Sequence, residues 1–479
     1  MPSAKHSSLR VNFIYNTAYQ VLAIIIPLIT TPYLTRKLGA EQIGVFSYSN
    51  SIAYYFAIFA MLGVNNYGNR SIAMARDNKE ELSNKFLEIY AFQLLTSIVS
   101  VATYFFYIAV WAEDKCISMV FLMYVVSSAF DVNWFFFGME KFKITTARNV
   151  FVKLFTVILI FILVKTPNDV YKYAFIYSSG ILASQIVMWV SIKKYIVIKR
   201  IAFRGVVSHI KPNLVLFIPV IAVSLYKFMD KIMLGAISTK TEVGFYESSD
   251  RMILVPSVLI NSLGAVMLPR MSNLVANNKK ENGLAYLSKS IRFVSFLASS
   301  LSFGIMGIAS VFVPLYYGPG FDKCITLFYI LLPSCIFVGF ANVLRTQYMI
   351  PNHMDTGYTI SVLSGTAINL LLNWLLIPKH GSIGAAVATL AAEIIVWMIH
   401  CAYVYKKLPL FYYFKSCLPA IVSGVIMFLS LKYLTVAATS SGVLNVLLKI
   451  LFGAFVYLIT YAVLNFNLII KTMKGQRTR

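Results

Sequence analysis

Fourteen apolar runs, each long enough to cross a bilayer, take up most of this 479-residue chain, and its Lys and Arg residues collect in every second gap between them. A spanning helix needs about 20 apolar residues. The runs fall near 12–35, 42–64, 86–110, 117–138, 147–165, 171–193, 211–235, 246–268, 292–315, 325–350, 357–378, 384–405, 411–434 and 444–470. Of 42 Lys and Arg residues, 29 lie in alternate gaps, in the stretches of the runs that adjoin those gaps, or at the two ends, in keeping with the surplus of basic residues on the cytoplasmic side of membrane proteins. The pattern predicts an all-α integral membrane protein with about 14 transmembrane helices and both termini cytoplasmic.

Composition agrees. The chain is 59% hydrophobic and 13% charged, whereas soluble domains run near 45–50% and about 25%. No gap is long enough for a sizeable soluble domain. The net charge of +24 follows from topology and does not call for a nucleic-acid partner. Five cysteines (Cys116, Cys324, Cys335, Cys401, Cys417) show neither metal spacing nor a disulfide framework. The first apolar run lacks a small-residue cleavage site and reads as a retained helix.

A weak internal repeat divides the chain. Pro27, Leu38-Gly39-Ala40 and Ile43-Gly44-Val45-Phe46 near the start match Pro219, Leu234-Gly235-Ala236 and Val243-Gly244-Phe245-Tyr246. Six crossings separate the copies, so both run in the same direction, and parallel repeats of this kind flank a substrate cavity. The expected organisation is an N-terminal lobe over 1–205, a C-terminal lobe over 206–407, and two extra helices with a basic tail over 408–479.

Charges inside the runs need another explanation, because each costs roughly 2.5–3.5 kcal/mol at mid-bilayer on insertion scales. The seventh run contains Lys227, Asp230 and Lys231; the eighth opens with Glu247, Asp250 and Arg251. These six can close into a salt-bridge network, or they can line a cavity with a cation left for an anionic ligand. Arg251 is the first candidate for that cation, since guanidinium holds phosphate through a planar fork. Arg36, with Lys37, sits at the outer end of the first run, and Arg345 near the inner end of the tenth; both can be interfacial or can meet an anionic headgroup. Asp131, among aromatics and without a basic neighbour in sequence, and Glu393 are candidates with Asp230 for ion coupling. Asn369 and Asn373, followed by Gly381 and Gly384-Ala385-Ala386, fit helix packing better than ligand contact.

The chain has no GxxxxGK[ST] phosphate loop, no HExxH and no serine elbow. No catalytic centre, cofactor or metal is expected. Transport is the better reading.

Four segments resemble a known family: 16–48, with PLITTPYLTRKLGAEQIGVFSYS; DVNWFFFGMEKFK at 131–143; DKIMLG at 230–235; and NLLLNWLLIPKHGSIGAAVAT at 369–389. They resemble Wzx-type polysaccharide repeat-unit flippases of the multidrug/oligosaccharidyl-lipid/polysaccharide exporter superfamily. The resemblance implies two six-helix lobes plus two further helices in the bacterial cytoplasmic (inner) membrane. It also implies an undecaprenyl-diphosphate-linked glycan carried to the outer leaflet, with a polysaccharide polymerase and a chain-length regulator as further partners. The related lipid II flippase holds its diphosphate with arginines from three helices. Only Arg251, and less closely Arg36, matches them here, and the second run has no Arg, which argues against lipid II as cargo. A drug/cation antiporter of the same superfamily is the alternative and would need a more acidic cavity.

Overall fold

A computed structural model describes residues 9–433 and 442–466, with side chains from residue 25 onward. The terminal basic residues Lys5, Arg10, Lys471, Lys474, Arg477 and Arg479 fall outside the described side chains. The described residues are helical without strands, and thirteen helical spans are long and apolar enough to cross a membrane. Hydrocarbon offers the backbone no hydrogen-bond partners, so each crossing must satisfy its own N–H and C=O groups within a helix.

The first helix, α1 (Leu9–Met61), has 53 residues and would be about 80 Å long if straight, against a hydrocarbon core of about 30 Å. It bends at Gly39, whose φ of 77° and ψ of 171° suit a residue without Cβ. Residues 9–38 and 40–61 are thus two arms, and counting them separately gives the fourteen expected crossings.

Two compact units follow, Met1–Gly235 and Ala236–Arg479. In the first, α1 is followed by α2 (Val64–Ala75), α3 (Lys79–Val110) and α4 (Lys115–Ser127). A 3-10 turn, Ser128–Phe130, then leads to α5 (Asn133–Gly138), α6 (Phe142–Leu163), α7 (Val170–Ile192), the short α8 (Phe203–Ser208) and α9 (Ile210–Ile237). Asn78 and Asp114 cap α3 and α4 by accepting backbone N–H bonds in the first turn. Phe86, Trp134, Phe135 and Phe136 centre a fully buried aromatic core.

The second unit contains α10 (Lys240–Ala276), α11 (Lys280–Tyr317), α12 (Lys323–Leu331), α13 (Ser334–Leu344), α14 (Asp355–His380), α15 (Ser382–Val404), α16 (Leu410–Tyr433) and α17 (Gly442–Leu464). α10 and α11 have 37 and 38 residues, or roughly 55 Å each, so they project well past the apolar runs that announced them. The projecting parts carry exposed Arg270, Lys279, Lys280 and Lys289 or half-buried polar groups near them. The last two helices pack on α11 through Met427, Leu431 and Tyr457, and Tyr457 Oη donates to the Phe296 carbonyl at 2.9 Å.

The repeated Leu-Gly-Ala has two different physical uses. Gly39 supplies the bend of α1, whereas Gly235 lies inside α9, where a Cβ would stand 2.1 Å from the Tyr48 ring. In the second copy the chain breaks slightly later, between Ile237 and Lys240.

The fourth and tenth runs, equivalent in the repeat, are both interrupted. The fourth breaks over 128–132 and the tenth at Leu332–Pro333, before a π-helical segment, Arg345–Met349. Leu331, Leu332 and Cys335 fill the second break with fully buried side chains, and Ser302 Oγ donates to the Leu332 carbonyl at 2.8 Å.

α14 and α15 form a tight hairpin. Gly381 turns the chain at a φ of 55°, and a Cβ on Gly384 would lie 2.6 Å from the Leu376 carbonyl carbon and oxygen. Backbone cannot step aside as a side chain can, so overpacking there should cost about 1–3 kcal/mol. Gly384→Ala is therefore expected to lower the thermal midpoint and the membrane-inserted yield, read by fluorescence-detected size exclusion after heating. An unchanged midpoint would mean that the hairpin is looser than this.

Candidate functional site

The break in the fourth run leaves backbone groups unpaired inside the membrane, and side chains from other helices take them up. Gln93 of α3, fully buried, donates its amide to the carbonyls of Ser128 and Asp131 at 2.7 and 2.9 Å. Its oxygen accepts from Trp134 Nε1 at 2.9 Å. Trp189 Nε1 donates to the Phe130 carbonyl at 3.0 Å. One amide thus holds both ends of the break in place.

Asp131 stands at this break and has company that its sequence neighbours do not reveal. Its Oδ1 accepts from the Asn133 backbone N–H at 2.9 Å and from Asn133 Nδ2 at 2.7 Å. The Asn133 oxygen accepts from Arg148 Nη2 at 2.9 Å, and Arg148 also reaches the Ser184 carbonyl, Gln185 Oε1 and Asn149 Oδ1. A carboxylate and a guanidinium are therefore linked through one carboxamide. Arg148 belongs by sequence to the basic cytoplasmic set, yet it is half-buried in α6 and held by uncharged acceptors. Gln93, Asn133 and Gln185 were not among the expected functional residues. The available signal was an amide inside an apolar run, which does not identify its partner 35–52 residues away.

Beside the break lies a cavity of about 330 Å³, lined by Tyr54, Asn65, Tyr124, Ser127, Asp131 and Gln185 with apolar neighbours.

The remaining expected residues are distributed over both units. In α9, Asp230 and Lys231 are buried, with Lys231 Nζ 5.6 Å from the Phe228 ring centre, while Lys227 is exposed. In α10, Arg251 Nε and Glu247 Oε1 form an ion pair at 2.8 Å across one helical turn, with side chains 24% and 12% exposed. Arg36 is exposed just before the Gly39 bend. Arg345 opens the π-helical segment, its guanidinium 5.3 Å from the Tyr358 ring centre and its Nε buried without a hydrogen-bond partner. Glu393 is half-buried midway along α15. Asn369 and Asn373 are fully buried, and Asn373 Nδ2 donates to Asn369 Oδ1 at 3.2 Å, in keeping with a packing role.

The family model described as "Polysaccharide biosynthesis protein" matches residues 9–275. A protein of Escherichia coli (strain K12) named "Putative O-antigen transporter" is 27% identical over 397 residues, covering 81% of this chain and 95% of its own. A Haloferax volcanii protein named "Probable low-salt glycan biosynthesis flippase Agl15" is 23% identical over 435 residues, 89% of each chain. Among solved structures, the lipid II flippase MurJ in an inward closed conformation aligns over 95% of this chain and 100% of its own, with a TM-score of 0.70 and 18% identity. That last likeness establishes the fold: a MurJ-like bundle of membrane helices.

The Gln93 clamp is open to a direct test. Gln93→Leu keeps the volume but removes the amide's three bonds, leaving the Ser128 carbonyl only the 3.3 Å bond from the Asp131 N–H and the Asp131 carbonyl and Trp134 N–H only each other at 3.1 Å. Each lost bond is worth about 0.5–1.5 kcal/mol. The expected result is a thermal midpoint lower by several degrees, with Gln93→Glu partly compensating by accepting from Trp134. Equal midpoints for the Gln93→Leu variant and the native protein would show that water, not Gln93, satisfies the break.

Proposed function

The chain belongs to the polysaccharide biosynthesis protein family, and from that premise we propose that it is a flippase of the bacterial cytoplasmic membrane. Its cargo is an undecaprenyl-diphosphate-linked oligosaccharide repeat unit, moved from the inner to the outer leaflet for surface polysaccharide assembly. Movement is by alternating access between a lobe over 1–205 and a lobe over 206–407, with 408–479 accessory and both termini cytoplasmic. The observation that carries this reading is the likeness, over 81% and 89% of this chain, to relatives named as an O-antigen transporter and a glycan biosynthesis flippase. The half-buried Arg251 supports it.

The chemistry follows from the cargo. A diphosphate cannot enter hydrocarbon without a partner for its charge, and guanidinium offers a bidentate one. Arg251 already bonds Glu247, so a diphosphate exchanges one anionic partner for another. An exchange gives less net affinity than an unpaired cation would. That suits a carrier, which must release what it binds. Arg36, Lys227, Lys231 and Arg345 are secondary contacts for the headgroup in this scheme. Asp230, buried in α9, and Glu393, half-buried in α15, are proposed to couple ion movement to the cycle.

Depletion of the protein should cause one lipid-linked glycan to accumulate in the inner leaflet. If none accumulates while drug efflux falls, the chain is an antiporter instead. At residue level, Arg251→Ala should abolish glycan export at normal protein levels, and Arg251→Lys should retain a minor fraction because it keeps charge without the fork. Undiminished export in Arg251→Ala would remove this residue from the site.

A further inference from the structure

We propose that the cavity at the Asp131 break is a sugar-binding subsite that takes one uncharged pyranose ring of the glycan. This rests on the flippase reading and adds to it a place where the cargo is recognised by its sugars rather than by its diphosphate.

Size is the first argument. At about 330 Å³ the cavity equals on the order of ten water volumes and falls at the small end of ligand sites. It is far too large for a bare ion and too small for a whole repeat unit. The lining is the second. Tyr54 from α1 and Tyr124 from α4 supply flat faces, and each is braced by a further ring: Tyr54 by Phe228 at 4.0 Å, Tyr124 by Tyr177 at 6.1 Å. Around them stand a carboxylate, two carboxamides and a hydroxyl, from Asp131, Gln185, Asn65 and Ser127. Flat apolar faces with mixed donors and acceptors match a ring that is apolar on its faces and hydroxylated at its rim.

Charge is the third argument. Asp131 is the one charged side chain among the described lining residues, and no cation is found among them. A diphosphate would meet a carboxylate there and be repelled. A metal ion would also be poorly served. Asp131 Oδ1 already accepts two bonds from Asn133, whose oxygen is held by Arg148, and no group of three or more His, Cys, Asp or Glu capable of holding a metal is found among the described residues. Asp131 Oδ2 accepts no bond from any described residue and remains for a hydroxyl. The equivalent break in the tenth run is filled by Leu331, Leu332 and Cys335, so an open chamber is not an automatic result of the break.

The test uses full-length protein in nanodiscs and two probes. One is the lipid-linked glycan extracted from cells depleted of the protein; the other is undecaprenyl diphosphate without sugar. The native protein should bind the glycosylated lipid at least tenfold more tightly. Asp131→Asn and Tyr124→Ala should each erase that preference while affinity for the bare lipid stays within twofold, and Tyr124→Phe should keep most of it. Arg251→Ala should weaken both lipids alike. Equal loss for both lipids in the Asp131 and Tyr124 variants would reduce them to structural roles and overturn the subsite, as would an unchanged preference. If Asp131→Asn instead alters the sodium or pH dependence of transport with preference intact, the cavity is an ion site and the sugar assignment falls. Native protein that binds neither lipid would overturn the flippase reading itself.

Discussion

An irregular stretch of backbone at membrane depth has to find its hydrogen bonds within the protein or a wet cavity, because the hydrocarbon supplies none. That constraint explains why the described crossings are helical, and it makes each interruption within one informative. The break at 128–132 exposes two carbonyls, and Gln93 closes them with a single side chain that also anchors Trp134. Once Gln93 is fixed, so are the direction of α5, the position of Asp131 and the aromatic core around Phe86 and Trp134. Packing then reinforces the arrangement. A Cβ on Gly68 would stand 2.5 Å from the Trp134 ring, so α2 can approach that ring only through a residue with no side chain.

The fold was largely legible in the sequence, for a simple physical reason. Apolar length and the side on which Lys and Arg fall are properties of contiguous residues, and a bilayer sorts them directly. The fourteen runs, with two beyond the repeat, follow from that, whereas the packing of the last two helices on α11 does not. The ends of α10 and α11 were less legible, because a helix leaving the membrane keeps its backbone pattern while its apolar signal stops. Gly39 and Gly235 sit in identical tripeptides, and the sequence cannot tell a bend from a close helix contact.

The candidate site was legible only in part. Asp131, Glu247 and Arg251 stand out because charge in hydrocarbon is costly at single-residue level, and the spacing of Glu247 and Arg251 anticipates their ion pair. Arg148 was hidden in the basic set that topology demands. Its link to Asp131 passes through Asn133, and amides carry no comparable penalty to draw notice. Which faces of α3, α6 and α7 meet at the break depends on rotations about three helix axes. Those rotations are decided by packing and leave no trace in the spacing of any one run.

The two kinds of chemistry fall in different units. The second holds the guanidinium of Arg251, suited to an anion; the first holds the chamber at Asp131, suited to hydroxyls. A ligand can shift a conformational equilibrium only by as much as its affinity differs between the states. In the proposed scheme a diphosphate would draw the same contribution from Arg251 in every lipid-linked cargo, and so would not select among glycans. A sugar in the proposed subsite of the first unit would add a contribution that depends on the ring, and each hydroxyl missing from its partner there would cost about 1–3 kcal/mol. Such a difference is roughly 5- to 150-fold in binding, enough for the glycan rather than the lipid to decide which cargo advances the cycle.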